Sequence, residues 1–246
     1  MTAHFFGRTL RCVEQPSKVQ PVDVLIVAAG EANPRPLLKQ LAAQSDLTIV
    51  ADGGAASARL ARLRVDHFVG DGDSLRKRER CWLEEAPFPV HWHPVEKDET
   101  DLELALELAL EQGARTIHIL GGWGGRSDHA LGNVFVLERS TLQGVQTFLW
   151  AGYERLCTLV PGRHALGQAF VGQRLSLLPL SREVEGLSTQ GLRYNLRAET
   201  LHRAASRGVS NEVIRLPVRV EFERGTLLQV QAYGRATLDK GVRIRS

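Results

Sequence analysis

Four short segments of the chain set acidic side chains where an apolar run gives way to glycine or to a helix start. They are Val50-Ala51-Asp52-Gly53-Gly54-Ala55, Val69-Gly70-Asp71-Gly72-Asp73-Ser74, Lys97-Asp98-Glu99-Thr100-Asp101 and Gly121-Gly122-Trp123-Gly124-Gly125-Arg126-Ser127-Asp128-His129. In an open α/β sheet the carboxyl ends of parallel strands share one edge, so residues far apart in sequence converge there on a ligand crevice. Carboxylates gathered at one point repel one another, and a hard divalent cation bound to phosphates neutralises them. The chemistry these segments suit is magnesium-dependent work on a phosphorylated substrate.

The individual motifs differ in weight. A single turn aspartate more often bonds its own backbone than a metal, but Asp71 and Asp73 sit two apart among glycines that permit close approach of a ligand. Asp98 and Asp101 stand at the mouth of a helix, where acids complement the helix dipole, and Lys97 beside them suits a phosphate as a point charge. Gly121 to Gly125 holds four glycines in five residues. With Arg126 and the helix start that follows, it is a plausible anion cradle. It is neither a P-loop nor a dinucleotide fingerprint. His129 is a candidate base and equally a packed helix-start residue. His91 and His93, alternating with Trp92, have no evident metal partner and read as structural.

The elements that must position these residues follow from periodicity. Residues 22 to 150 alternate short apolar runs (Val22–Ala28, Leu47–Ala51, His67–Val69, Val90–His93, Thr116–Leu120, Val145–Leu149) with helical stretches (Pro36–Gln44, Ala55–Leu63, Arg76–Glu84, Asp101–Gln112, His129–Arg139). That is the pattern of βα units around a parallel sheet. Leucines alternate within Asp101–Gln112 as in a strand, yet Leu, Ala and Glu predominate, Glu103, Glu107 and Glu111 form one stripe at a spacing of four, and Thr100 with Glu103 makes a capping box. A helix is expected there. After about Trp150 the texture changes to short segments, Arg174–Leu180, Leu192–Leu196, Val213–Val220 and Thr226–Ala232, separated by turn residues. These predict an antiparallel sandwich or partial barrel too small to stand without a neighbour. The expected division is residues 1–150 and 151–246.

Composition bounds the rest. The chain has 246 residues and a net charge of only +3 with scattered arginines, which gives a nucleic-acid role little support. No run approaches the roughly 20 apolar residues of a membrane span, and Arg8 and Arg11 interrupt any secretory signal. No membrane partner and a cytoplasmic location are expected. Cys12, Cys81 and Cys157 fit no zinc or disulfide pattern and read as free thiols.

Taken in order and spacing, Asp52-Gly53-Gly54-Ala55, Val69-Gly70-Asp71-Gly72-Asp73-Ser74, Lys97-Asp98-Glu99-Thr100-Asp101 and Gly125-Arg126-Ser127-Asp128-His129-Ala130-Leu131-Gly132-Asn133 resemble the motifs of the thiamine pyrophosphokinase family. Gly191-Leu192-Arg193-Tyr194-Asn195-Leu196 and Val209-Ser210-Asn211 look like that family's thiamine-holding segments. The resemblance implies an N-terminal Rossmann-like α/β domain with a mostly parallel sheet and a C-terminal antiparallel β-sandwich. It also implies a homodimer whose active sites lie between the α/β part of one subunit and the β part of the other. The implied reaction transfers a pyrophosphoryl group from ATP to the thiamine hydroxyl, with Mg²⁺, and releases AMP. By resemblance Asp71, Asp73, Asp98 and Asp101 organise Mg²⁺ and the ATP phosphates, and Arg126 with Asp128 lines the phosphate region. Asp52, Ser74, Lys97, Thr100, His129 and Asn133 fall in the nucleotide-binding motifs, and Tyr194, Ser210 and Asn211 contact thiamine.

Two departures stand out: Tyr194 replaces the usual Trp, offering a smaller π face to a cationic ring, and Gly72 replaces an apolar residue, which is expected to loosen that turn. Two other readings remain open at this point: a related pyrophosphokinase for a hydroxymethyl pterin or another heterocyclic alcohol, and a nucleotide- or thiamine-binding sensor without turnover.

Overall fold

The computed structural model describes residues 20–30 and 34–234, so Cys12 and the arginines at 8 and 11 lie outside the described residues. Six short parallel strands carry the first half: β1 (Val22–Val27), β2 (Leu47–Ala51), β3 (His67–Gly70), β4 (Val90–Trp92), β5 (Ala114–Leu120) and β6 (Gln146–Ala151). Their order is β4-β3-β2-β1-β5-β6. The chain thus steps outward from β1 to β4, then returns to add β5 on the other side of β1, which makes the β1/β5 boundary the topological switch of the sheet. Strands such as β1 are buried on both faces, and their near-continuous apolar runs follow from helices covering each side.

Helices α1 (Arg35–Gln44), α2 (Gly54–Ala61), α3 (Lys77–Glu84), α4 (Asp101–Glu111) and α5 (Ser127–Leu142) connect the strands. In α4 the buried positions are Leu102, Ala105, Leu106 and Ala109, a helical spacing that overrides the strand-like leucine alternation. They pack with Val134 and Leu137 of α5 against Val24, Ile26, Ile117 and Ile119. Thr100 accepts the Glu103 N–H at 3.2 Å. The reciprocal half of the capping box is absent among the described residues, and Glu103 and Glu107 instead both meet Arg139 of α5.

The second half is not a separate body beside the first. β7 (Glu154–Leu159) turns back from β6 and pairs with it antiparallel, and β14 (Leu227–Ala232), β9 (Arg174–Pro179) and β12 (Asn211–Glu212) extend the same sheet to ten strands. A four-stranded sheet, β11 (Glu199–His202), β10 (Glu183–Gln190), β13 (Arg219–Phe222) and β8 (Gly162–Ala165), covers one face of that extension. Leu175, Leu177 and Leu227 of the large sheet share a core with Val184, Leu187, Val220 and Phe222 of the small one. The fold is therefore an α/β layer and an antiparallel β-sandwich built on one continuous sheet.

Two expected strands are corrected here. Leu192–Leu196 is a loop in which Leu192 makes an isolated bridge to Val213 and the Asn195 side chain accepts the Leu192 N–H. Asparagine offers the backbone that alternative to a ladder. Val213–Val220 yields strand only from Arg219, because Pro217 has no N–H for a ladder and interrupts it. Among the described residues no helix is long and apolar enough to cross a membrane.

Where the two halves join, the sheet buries a polar belt. The Arg155 guanidinium lies 4.3 Å from the Phe148 ring centroid and donates to Gln231 and the Gly167 carbonyl, with no carboxylate partner among the described residues. His118 is fully buried and its Nδ1 accepts from Trp150 Nε1 at 3.1 Å. Burial, reinforced by the Arg155 charge, pushes its pKa from 6.5 to about 3. Below pH 6.5 the unfolded chain takes up a proton that the folded chain refuses, so this stabilisation is present above pH 6.5 and drains away as the pH falls. Chemical denaturation should show wild type losing about 2 kcal/mol more than His118→Gln between pH 6.5 and 5. Parallel pH profiles for the two proteins would contradict that assignment. Burial also pushes the Cys157 thiol up to about 11, an inert sulfhydryl, while Cys81 is free and exposed.

Candidate active site

The loops at the carboxyl edge of β1, β2, β3 and β5 meet around the switch. Asp52, directly after β2, is buried and holds φ at +35°, a left-handed backbone conformation uncommon for a residue with a Cβ. Its Oδ1 accepts the Gly72 N–H at 2.9 Å, so this carboxylate props the turn that follows β3. The turn is not loosened by Gly72. With φ at +78°, a Cβ there would lie 2.9 Å from the Trp92 ring, and Arg80 donates to the Gly72 carbonyl at 2.5 Å. The left-handed backbone favours glycine here, and the Trp92 ring already fills the space beside it. Asp71 Oδ1 accepts the Asp73 N–H at 3.0 Å, and Asp73 Oδ1 accepts from Ser74 Oγ at 2.9 Å. Asp52, Asp71 and Asp73 each bring one carboxylate oxygen within 4.8 Å of the others.

Opposite this turn, Lys97 comes from the loop ahead of α4. Its Nζ donates to Asp71 Oδ2 at 2.6 Å and to the Pro94 carbonyl at 3.2 Å, and stands 3.1 Å from Asp101 Oδ1. The Lys97 hydrogen bond, with help from the Asp73 N–H, holds Asp71 below the usual carboxylate range. Burial lifts Asp101 above it, only partly offset by Lys97. For Lys97, burial opposes the charge, yet the two carboxylates outweigh it and keep the ammonium above its ordinary pKa. Asp98 is exposed and lines the same cleft without joining the cluster, and Thr100 is engaged at the α4 cap.

The glycine loop forms the third wall. Gly30 N–H donates to the Gly121 carbonyl at 2.6 Å, and Gly121, at φ +73°, lies so near the Ala28 carbonyl that a Cβ would approach it to 2.2 Å. These contacts lock the β1 and β5 loops together at the switch. The amide of Asn133 donates to the Gly122 carbonyl at 2.7 Å and supports the loop from below. At the start of α5 the N-cap residue Arg126 makes no capping hydrogen bond with its side chain. It forms instead a two-pronged pair with Asp128, at 3.2 and 2.6 Å, which lowers the Asp128 carboxyl to about 2. Both partners are exposed, and His129 is exposed beside them.

Together these loops enclose an open cleft of about 530 Å³ lined by Asp52, Asp71, Asp73, Lys97, Asp101 and Arg126, among others. A larger, more apolar cleft of about 630 Å³ between α1 and α2 shares Ala28, Gly30 and Gly121 with it and is lined by Arg35, Lys39 and Arg62 but no carboxylate, so the carboxylate chemistry belongs to the first. Asp52, expected among the acids of the crevice and assigned to nucleotide contact, joins the carboxylate cluster itself. Sequence reasoning missed the Ala28–Gly30 loop, which lines the wall. The signal for the latter was present in the small residues that end the β1 apolar run, Ala28-Ala29-Gly30.

The three expected thiamine contacts lie elsewhere. Tyr194 is 68 % exposed, and the Asn211 side chain clamps its backbone from both sides, accepting Tyr194 N–H at 3.1 Å and donating to its carbonyl at 2.8 Å. Ser210, with φ at +58°, donates its N–H to Ser176 Oγ at 3.0 Å. Asn211 thus fixes the backbone of the exposed Tyr194, and none of the three lines the acidic cleft of the same chain.

A carboxylate-rich cleft at the topological switch of an α/β sheet, with a β-sandwich built onto that sheet, defines an enzyme that handles a phosphorylated ligand. Residues 38–149 match the model of the thiamin pyrophosphokinase catalytic domain, and residues 163–227 match that of the thiamin pyrophosphokinase vitamin B1 binding domain. The chain belongs to the thiamin pyrophosphokinase family. It is 30 % identical to the thiamine pyrophosphokinase of Bacillus subtilis over 207 residues, covering 84 % of this chain and 97 % of that one. The crystal structure of the Bacillus subtilis protein superposes with a TM-score of 0.77 at 28 % identity, over 86 % of this chain and 99 % of the other. A thiamin pyrophosphokinase family protein from Enterococcus faecalis gives 0.75 at 28 % identity, over 87 % and 100 %.

Proposed function

We propose that this chain transfers the pyrophosphoryl group of ATP to the hydroxyl of thiamine, giving thiamine diphosphate and AMP. The observation that carries the reading is the meeting of Asp52, Asp71 and Asp73 with the Lys97–Asp101 pair in one cleft at the β1/β5 switch, inside a chain of this family. In the reaction the thiamine hydroxyl oxygen attacks the β-phosphorus and gives up its proton to solvent, the bond from that phosphorus to the α-phosphate bridging oxygen breaks, and AMP leaves with the electron pair. Such transfers need positioning and charge neutralisation more than covalent help from the protein.

The acidic cluster suits Mg²⁺. Its three carboxylates lie within mutual reach of one ion, and the buried Asp101 Oδ1 has no aligned hydrogen bond, only the Lys97 ammonium at 3.1 Å. Asp71, Asp73 and Asp52 would hold the ion, with Asp101 and the exposed Asp98 as further oxygen donors. When bound it would neutralise the phosphate oxygens as charge develops on them. Arg126, exposed at the open start of α5, would receive phosphate oxygens with its guanidinium fork, at the expense of its pair with Asp128. Ser74, Thr100, His129 and Asn133 would shape the nucleotide pocket, Asn133 through the Gly122 carbonyl it holds.

Residues 1–150 would carry the nucleotide and metal, and residues 151–246 thiamine and subunit contact. Tyr194 would offer its ring to the thiamine cation, with Ser210 and Asn211 supporting it. Because these residues do not line the acidic cleft of their own chain, the reading calls for a homodimer in which the phenol faces the partner's cleft. ATP as co-substrate and the free thiols Cys81 and Cys157 favour the cytoplasm. Incubating the protein with ATP, Mg²⁺ and thiamine should release AMP in step with thiamine diphosphate. AMP formed with a hydroxymethyl pterin and not with thiamine would refute the acceptor.

A further inference from the structure

Lys97 is bound as a cation would be bound. An ammonium has three donors and no acceptor. Nζ donates to Asp71 Oδ2 at 2.6 Å and to the Pro94 carbonyl at 3.2 Å, and the Lys97 side chain is only 11 % exposed. Asp101 Oδ1 is 3.1 Å away, yet that buried oxygen has no aligned hydrogen bond. The ammonium therefore holds one oxygen of Asp71 in a short hydrogen bond and stands further from Asp101, as its ion-pair partner. Asp71 is also a member of the cluster that would receive Mg²⁺, its Oδ1 already accepting the Asp73 N–H. A dication at Asp71 and an ammonium 2.6 Å from the same carboxylate repel one another, and burial weakens the screening between them.

We propose that Lys97 is an internal counter-cation that keeps Asp71 and Asp101 together in the metal-free protein, and that metal binding displaces its ammonium from Asp71. The inference rests on the metal site named above. Lys97 then competes with the ion while the cleft is empty of phosphate, and becomes its ally when the displaced ammonium meets the phosphates that arrive with the metal. Metal binding is weak alone and strong with the nucleotide. In this role Lys97 is a positioning residue for the carboxylates.

Mn²⁺ binding to the full-length protein without nucleotide, followed by the paramagnetic resonance of the free ion, tests the idea in wild type, Lys97→Met, Lys97→Arg and Asp71→Asn. The expected result is roughly tenfold tighter Mn²⁺ binding by Lys97→Met, with Lys97→Arg close to wild type. Thermal denaturation adds a second readout: Lys97→Met should melt several degrees below wild type in chelator, and saturating Mg²⁺ should close that gap. Mn²⁺ binding that Asp71→Asn weakens but Lys97→Met leaves unchanged or weakens would overturn this inference alone. Binding absent from wild type, or indifferent to Asp71→Asn, would overturn the metal site as well.

Discussion

Asp71→Asn is expected to lower kcat about a thousandfold, equivalent to about 4 kcal/mol of transition-state stabilisation, with the circular dichroism spectrum unchanged. Asn is isosteric, and its carbonyl oxygen can still accept the Asp73 N–H that Asp71 Oδ1 now receives at 3.0 Å. What disappears is one negative charge at the point where the Asp52–Asp71–Asp73 cluster meets Lys97. A neutral amide is a poor ligand for a hard dication beside phosphates, and it leaves the Lys97 ammonium, buried to about nine-tenths, without its principal counter-ion. Turnover measured at saturating ATP and thiamine separates a loss of chemistry from weaker substrate binding. A variant that keeps a tenth or more of wild-type kcat would remove Asp71 from the metal site.

Gly121→Ala should cost about 3 kcal/mol or more, lowering the melting temperature by roughly 6–12 °C for a protein of this size. The position combines φ of +73° with a 2.2 Å approach of the added Cβ to the Ala28 carbonyl. The contact is backbone, so no side chain can swing aside, and the β1 and β5 loops would have to part. Since Gly30 N–H bonds the Gly121 carbonyl at the same place, the wall of the acidic cleft moves with them and KM for ATP should rise. Gly132→Ala supplies the control. It lies inside α5 with open space around it, and alanine there should be neutral or stabilise by up to about 1 kcal/mol. Equal melting temperatures for wild type and Gly121→Ala would show that the switch tolerates separation.

Much of this is legible in the residues themselves. The βα alternation, the α4 helix against its own leucine alternation and the acids at strand ends follow from period, propensity and turn chemistry, which act over a few residues. The short strands of the second half were harder. β10 buries only Val184 and Leu187 in a run of eight, too few to reveal an alternation, whereas Leu192–Leu196 has the apolar ends of a strand and is folded into a loop by Asn195.

The sequence by itself determined the order of elements in residues 22–150, the family and the identity of the acidic residues, because each depends on residue type and local spacing. Only the tertiary structure decided that the two halves share one ten-stranded sheet, through β6 pairing with β7. It alone decided that Asp52 belongs with Asp71 and Asp73, since that depends on a left-handed residue after β2 reaching the turn after β3. And it alone showed Asp71 tied to Lys97, 26 residues on. Such pairings are set by which strand ends fall side by side at the carboxyl edge, a long-range outcome of packing that local periodicity does not encode.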